Sequence, residues 1–402
     1  MLDAMPKNQT LSMKRQLSHI EHRRQYRQTA HYNVTHLRRQ AFYSLPSAHV
    51  DLLSEPPFSL PQTFRDVDDA IDSNADTAEA ILQAGLSMYG IDPEDNSWQG
   101  TATPRDLDKA RSTIRQLYRD WSEEGHKEIE MVLSNMQRLL REHLPELPTS
   151  QLHKHRVLVP GAGLGRTVFD LTAEGYSVEG NEISYHQIIA SNYILNGTQR
   201  AGQHTLYPFA LGFSNHTNRA NQLRSFGIPD VHLEGYLEER QKVIKSGLSF
   251  GERMSMSAGD FCVIYRQPEY HGYFAAVATC FFIDTAPNVI NYIETIKHCL
   301  APGGIWVNGG PLLWHFESTP TPAEKEQDKR QSNIDDASAN RGIADPGSFE
   351  LTNDEVVALV KHCGFEIVSH EERTSAAAGY TMDDRSMLTH QYHPSFWVAR
   401  KV

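Results

Sequence analysis

Between Arg156 and Arg166 the chain reads RVLVPGAGLGR, and no other stretch constrains its fold so strongly. Arg156 to Val159 has the length and apolar character of a short strand, and Pro160 ends it. Glycines follow at 161, 163 and 165, and then Val168, Phe169 and Leu171 recur at helical spacing as far as Gly175. Glycine carries no Cβ, so such a turn can bend sharply and let a ligand lie against the backbone. The helix behind it offers unpaired N–H groups. A strand, a glycine turn and a helix together open a nucleotide-binding βαβ unit.

The rest of the chain extends this pattern. Tyr176 to Asn181 reads as a second strand, and a helix marked by Tyr185, Ile188, Ile189 and Leu195 follows, with Ser184 as its N-cap. Further strands are expected at Met254 to Ser257, Phe274 to Ile283, Ile305 to Asn308, Phe365 to Ser369 and Phe396 to Arg400. Pro287 opens a helix that Ala301-Pro302-Gly303-Gly304 stops, and a helix from Asn353 to His362 ends at Gly364. Strands alternating with helices from residue 155 onward imply a mostly parallel sheet covered on both faces. The fold class expected is α/β, a Rossmann-like sheet behind an N-terminal helical extension.

That extension occupies residues 1–150, with 1–100 partly mobile. Residues 44–62 hold Pro46, Pro56, Pro57 and Pro61 and read as an extended connector. Ile71, Ile81, Leu82 and Leu86 mark an acidic helix, and one long helix over 105–146 is expected to pack on the catalytic domain. The catalytic domain takes 151–402 and carries a polar insertion at 316–347. The net charge of −12 argues against nucleic acid or an anionic membrane as partner. Lys14, Arg15, Arg23, Arg24, Arg27, Arg38 and Arg39 form a local basic stretch, for which a solvated helix face is the simpler account. Cys262, Cys280, Cys299 and Cys363 lack C-x-x-C spacing and fit reduced thiols. MLDAMPKNQT has no apolar core, so no secretory leader is expected, and no apolar run is long enough to span a bilayer. The cytoplasm is the expected compartment, with the nucleus second.

Ligands of such sheets lie beyond the carboxyl ends of the strands. The loop spacing is G-x-G-x-G, whereas the dinucleotide fingerprint G-x-G-x-x-G would need glycine at Arg166. This favours S-adenosylmethionine over a nicotinamide or flavin. Gly161 and Gly163 would approach the cofactor, and Glu182, after the second strand, could accept both ribose hydroxyls. Asp260 could accept from the adenine amine while Phe261 stacks on the ring. A Gly-Asp turn with a core phenylalanine explains the same pair equally well. Asp284 ends the most apolar strand, where it could face a methyl acceptor or simply cap the next helix. His315 occupies the corresponding place beyond the following strand. The histidines form no ligand framework, and no metal is expected.

The runs VLVPGAGLGRTVFDLTAEGYSVEGNEISYHQIIASNYILN, SAGDF, VATCFFIDTAPNVINYIETI, GGIWVNGGPLLWHF and FWVARK resemble the carnosine N-methyltransferase family. The likeness covers roughly 105–315 and 348–402. It implies a seven-stranded class I methyltransferase sheet. It also implies methyl transfer from S-adenosylmethionine to an imidazole nitrogen of a histidyl compound, typically carnosine, giving anserine, with S-adenosylhomocysteine as coproduct. A histidine within a protein is the second acceptor class, a non-catalytic scaffold the third reading, and a homodimer is compatible with the family. By the same resemblance Gln116 and Arg119, in QLYRDWS, contact the cofactor with Gly161, Glu182, Asp260 and Phe261. Asp284, His315, Tyr392 and Tyr380 serve the acceptor. His390 stands where the family has a tyrosine, and Ala276 where it has a cysteine near the cofactor.

Overall fold

The computed structural model describes residues 25–92, 104–316, 348–379, 383 and 385–402, without the side chains of 104–110. The chain divides into two compact units. One comprises the described residues up to Ile129 with Tyr185–Tyr236 and Gly379–His390. The other comprises Glu130–Ser184, Leu237–Ala378 and Gln391–Val402. Two later segments thus fall in the same unit as the N-terminal helices.

In the first unit the helix Leu60–Met88 buries Ile71, Ile81, Leu82 and Leu86. Its acidic face meets the basic stretch. Arg27 donates to Asp72 at 2.5 Å and Asp76 at 2.7 Å, Arg39 reaches Asp68 at 2.5 Å, and the two ring nitrogens of His31 lie 3.0 and 2.9 Å from Asp68 and Asp72. Arg38 donates to the Val34 carbonyl and covers the Phe213 ring. The described members of the basic stretch therefore interact within the protein, and Lys14, Arg15, Arg23 and Arg24 lie outside the described residues. The proline-rich connector is mostly helical: Pro46 precedes the helix Ser47–Ser54, and Pro61 stands in the first turn of Leu60–Met88, where a missing N–H costs nothing.

The single long helix expected over 105–146 is two helices, Pro104–Trp121 and Glu123–His143. Ser122 separates them: its hydroxyl donates to the Tyr118 carbonyl at 2.7 Å and accepts the Gly125 N–H at 3.0 Å. Gly125 lies so close to the Tyr118 carbonyl that a Cβ would fall 2.1 Å from its oxygen. From Glu130 onward the second helix belongs to the other unit, where Val132, Met136, Leu139 and Leu140 pack in one cluster with Val157, Val159 and Val168.

The second unit is built on a seven-stranded sheet: β1 Arg156–Pro160, β2 Ser177–Glu182, β3 Met254–Ala258, β4 Phe274–Cys280, β5 Leu300–Gly310, β6 Phe365–Glu371 and β7 Ser395–Lys401. The spatial order is β3-β2-β1-β4-β5-β7-β6. β1 to β5 run parallel, and β7 is antiparallel to both its neighbours. This is the class I methyltransferase sheet. β4 sits beside β1 and is buried on both faces, which is why FAAVATC is apolar without alternation. Its one central polar side chain is satisfied: Thr279 accepts from the Trp306 indole at 2.7 Å and donates to Asn308 at 2.8 Å. Ala276 lies within this core, paired with Val157 and Ile305, so the substitution there is a packing position. β5 begins at Leu300, so APGG opens the strand as well as ending the helix Val289–Cys299.

Candidate active site

Because β1 to β5 are parallel, their carboxyl ends share one edge of the sheet. The order reverses between β1 and β4, which opens a crevice there. β1, β2 and β3 supply one side of it, and β4 and β5 the other.

On the first side the chain leaves β1 through Gly161, Gly163 and Gly165, at φ of 67°, 58° and 82°. These left-handed values select glycine. A Cβ on Gly161 would also fall 2.6 Å from the Phe282 ring. The Gly163 N–H donates to Glu182 Oε2 at 2.9 Å, and the Ser184 N–H to Oε1 at 2.7 Å. Glu182 is 6% exposed. Burial pushes its carboxyl above the usual carboxylate range, and the N–H donors of Ser184, Gly163 and Ile183 oppose that shift. A carboxylate has about four acceptor positions. Two bonds to the backbone fix its place and leave capacity for a diol. The glycine turn, the helix Arg166–Glu174 behind it and this buried acid fit an adenosyl group with a free ribose.

Gly259 follows β3 at φ 144° and donates its N–H to the Glu182 carbonyl at 2.9 Å. Asp260 caps the short helix Phe261–Tyr265 by accepting from the Val263 N–H at 2.9 Å. Phe261 is 4% exposed, with its ring edge-on to Phe282 and Tyr292 at 5.5 Å each. The structure gives this phenylalanine a core role, with little surface left for stacking on adenine. Phe282 stacks on Tyr292 at 4.7 Å, and burial raises the Tyr292 phenol, with smaller contributions from the carboxylates of Asp260 and Glu182. Neither ring stands out in the sequence. Phe282 was readable only as part of the apolar run before Asp284, and Tyr292 only as a helix position.

On the second side, Asp284 stands in a 3₁₀ turn, Ile283–Thr285, after β4. It does not cap the following helix; Asn288 does, accepting from the Ile290 N–H at 3.1 Å. Asp284 is 2% exposed. Its Oδ2 accepts the Leu313 N–H at 2.8 Å, while its Oδ1 is buried with no hydrogen-bond partner among the described residues. Burial raises its carboxyl above the usual range, opposed by the Leu313 N–H, the charge of His315 and its own backbone N–H. His315 is exposed, and its backbone N–H donates to the Asp284 carbonyl at 3.1 Å. Phe281, at φ 51°, holds a conformation uncommon for a bulky residue, and such strain gathers at functional sites. Its ring meets Tyr392 edge-on at 6.0 Å.

The sheet edge thus brings together Gly161, Gly163, Glu182, Asp260, Asp284 and His315, with Tyr392 against Phe281. Gln116 and Arg119 belong to the other unit, on the helix Pro104–Trp121. There Gln116 accepts from Gln187 at 3.2 Å, and Arg119 pairs with Asp120 at 2.6 Å. Tyr380 lies outside the described residues, and His390 is exposed. Among the described residues no group of His, Cys, Asp or Glu is disposed to hold a metal ion, and no helix is long and apolar enough to cross a membrane.

A family model described as carnosine N-methyltransferase matches residues 96–402. A protein named carnosine N-methyltransferase in Schizosaccharomyces pombe is 36% identical over 376 residues, 93% of this chain and 92% of that one. One of the same name in Mus musculus is 33% identical over 383 residues, 94% of this chain and 84% of that one. A third, in Dictyostelium discoideum, is 37% identical over 292 residues, 73% of this chain and 54% of that one.

Proposed function

The chain belongs to the carnosine N-methyltransferase family, and we propose from that premise that it methylates an imidazole nitrogen of carnosine, giving anserine. S-adenosylmethionine is the methyl donor, and the coproduct is S-adenosylhomocysteine. The bound cofactor supplies a methyl group already activated on a sulfonium, so no covalent enzyme intermediate is required.

The structural observation that carries the reading is Asp284, a buried carboxylate with one oxygen held by the backbone and the other without a hydrogen-bond partner among the described residues. A free imidazole has a pKa of about 6.5 and is largely neutral at pH 7. What it lacks is the right tautomer and alignment. Asp284 Oδ1 can accept the N–H of the ring nitrogen that does not attack. This fixes the tautomer and opposes the positive charge that develops on the ring as the new N–C bond forms. Asp284 can then take the proton from the methylated ring and pass it to solvent. His315, Tyr392 and Tyr380 are proposed to orient the acceptor, and alignment contributes further rate. Gly161, Gly163, Glu182 and Asp260 are proposed to hold the cofactor with Gln116 and Arg119. Phe261 would serve there through its backbone turn rather than its ring.

The test is turnover of the full chain with methyl-labelled S-adenosylmethionine and carnosine, read by mass spectrometry. Label on the imidazole supports the proposal. No product while the cofactor still binds would overturn carnosine as acceptor and move the search to histidines in other peptides and proteins. A homodimer and a cytoplasmic and nuclear location belong to the same proposal. Light scattering and imaging of a tagged chain test them.

A further inference from the structure

Asp284 depends on a short run that is neither helix nor strand. Residues 311–316 supply the Leu313 N–H to its Oδ2 and the His315 N–H to its carbonyl, at 2.8 and 3.1 Å. An irregular run of this length has many conformations available, and something must select one. Trp314 stands between the two donors. Its indole Nε1 donates to the Leu351 carbonyl at 3.0 Å.

Leu351 is well fixed. It precedes Thr352, which forms a capping box with Glu355 at the start of the helix Asn353–His362; the Thr352 backbone N–H and hydroxyl each donate to Glu355 Oε2 at 2.9 Å. Val356, Val357 and Val360 bury that helix against the apolar cluster that includes Phe282 and Ile283. Trp314, Phe349 and Leu351 pack on the same cluster. The Phe349 N–H also reaches the Pro287 carbonyl at 3.4 Å, on the turn that carries Asp284. The indole hydrogen bond thus ties the run that carries the Leu313 and His315 donors to a capped, buried helix.

We propose that Trp314 is a positioning residue for methyl transfer: by closing on the Leu351 carbonyl it holds the Leu313 N–H and His315 against Asp284. The inference rests on the reading that Asp284 engages the acceptor ring. Without the indole bond the run loosens, Oδ2 loses its donor part of the time, and the carboxyl holds its proton more tightly.

The test is Trp314→Phe, which keeps an aromatic ring for packing and removes the donor. The carnosine kcat/KM should fall about tenfold, the size of one lost hydrogen bond with some misalignment. The acid limb of its pH profile should move to higher pH, while cofactor affinity by calorimetry and the melting temperature stay near wild type. Trp314→Tyr, which restores a donor on an aromatic ring, should bring the acid limb back. A phenylalanine variant with the wild-type rate and profile overturns the inference. So does one that loses cofactor affinity and melting temperature in step with rate, since that marks packing alone. If the phenylalanine variant does not fold, a tyrosine variant with the displaced limb overturns it. Asp284→Asn separates this inference from its premise. If that variant keeps turnover, the premise fails; if it is inactive and Trp314→Phe is unchanged, only the inference fails.

Discussion

Replacing Asp284 by asparagine should abolish most turnover and make the protein more stable at neutral pH. The acid is 2% exposed, with one N–H donor from Leu313 on Oδ2 and none on Oδ1 among the described residues. In the variant the amide oxygen takes the Leu313 N–H, so the amide NH₂ faces the acceptor ring. A donor then meets a donor, and the charge that opposes the developing imidazolium is gone. Loss of one aimed electrostatic partner costs about 3–4 kcal/mol, or roughly 10²–10³-fold in kcat. The stability effect has the opposite sign. The folded-state pKa of Asp284 is raised, so the folded protein binds this proton more tightly than the unfolded chain. Stability therefore falls as pH rises from the ordinary carboxylate range through the raised value, and the penalty is complete above it. Asparagine carries no such penalty. The gain comes from removing the buried charge, is partly offset by the unpaired amide N–H left in its place, and should shrink as the pH is lowered. Initial rates at saturating substrates and urea unfolding at two pH values measure both quantities. A variant that keeps more than about a tenth of turnover, or is less stable at pH 7, would falsify the reasoning.

Gly161→Ala places a side chain at φ 67° with its Cβ 2.6 Å from Phe282, so it should cost about 1–2 kcal/mol in backbone strain alone and weaken cofactor binding; calorimetry and thermal melts check both. Glu182→Gln should weaken cofactor affinity about 10–100-fold by removing charge-assisted bonds to the ribose, with the melting temperature held or raised because burial already opposes ionisation there. An unchanged dissociation constant would exclude the ribose role. Gln116→Ala and Arg119→Ala should each raise the dissociation constant for the cofactor and leave the acid limb for carnosine in place. The carnosine kcat/KM should fall on acidification through two protonations, the imidazole at about 6.5 and Asp284 above the usual carboxylate range, and Asp284→Asn should retain the imidazole limb alone.

The sheet was legible because its signals are local. A strand buried on both faces reads as a continuous apolar run, and a left-handed turn reads as glycine, so β1, β4 and the loop at 161–165 needed no tertiary information. The break at Ser122 was not legible, since Trp121 and Ile129 keep helical spacing across it. Only the approach of Gly125 to the Tyr118 carbonyl reveals the interruption. The same limit applies to Phe261, which had two readings in sequence and a core position in the structure. Asp284 shows the converse. Its alternative as a helix cap could be removed only by seeing Asn288 take that place. The exchange of Tyr185–Tyr236 into the N-terminal unit left no mark in composition or spacing, because it is settled by packing between segments far apart in the chain.

Glu182 and Asp284 are both buried acids at strand ends, and the difference in their backbone partners separates their roles. Each is pushed toward its neutral form by burial. Glu182 is held by backbone N–H groups on both oxygens, so its position and charge are set by the fold before any ligand arrives. Such an acid suits binding, where the same contact is wanted throughout. Asp284 accepts the Leu313 N–H on Oδ2, and its Oδ1 has no hydrogen-bond partner among the described residues. Its ionised form is under-stabilised by the protein alone and improves when an N–H reaches Oδ1, most of all as that N–H becomes part of a cation. An interaction that strengthens as charge develops lowers a barrier, whereas one that is uniform only tightens binding. The fold thus completes the acid on the cofactor side and leaves the acid on the acceptor side to be completed by the reacting ring.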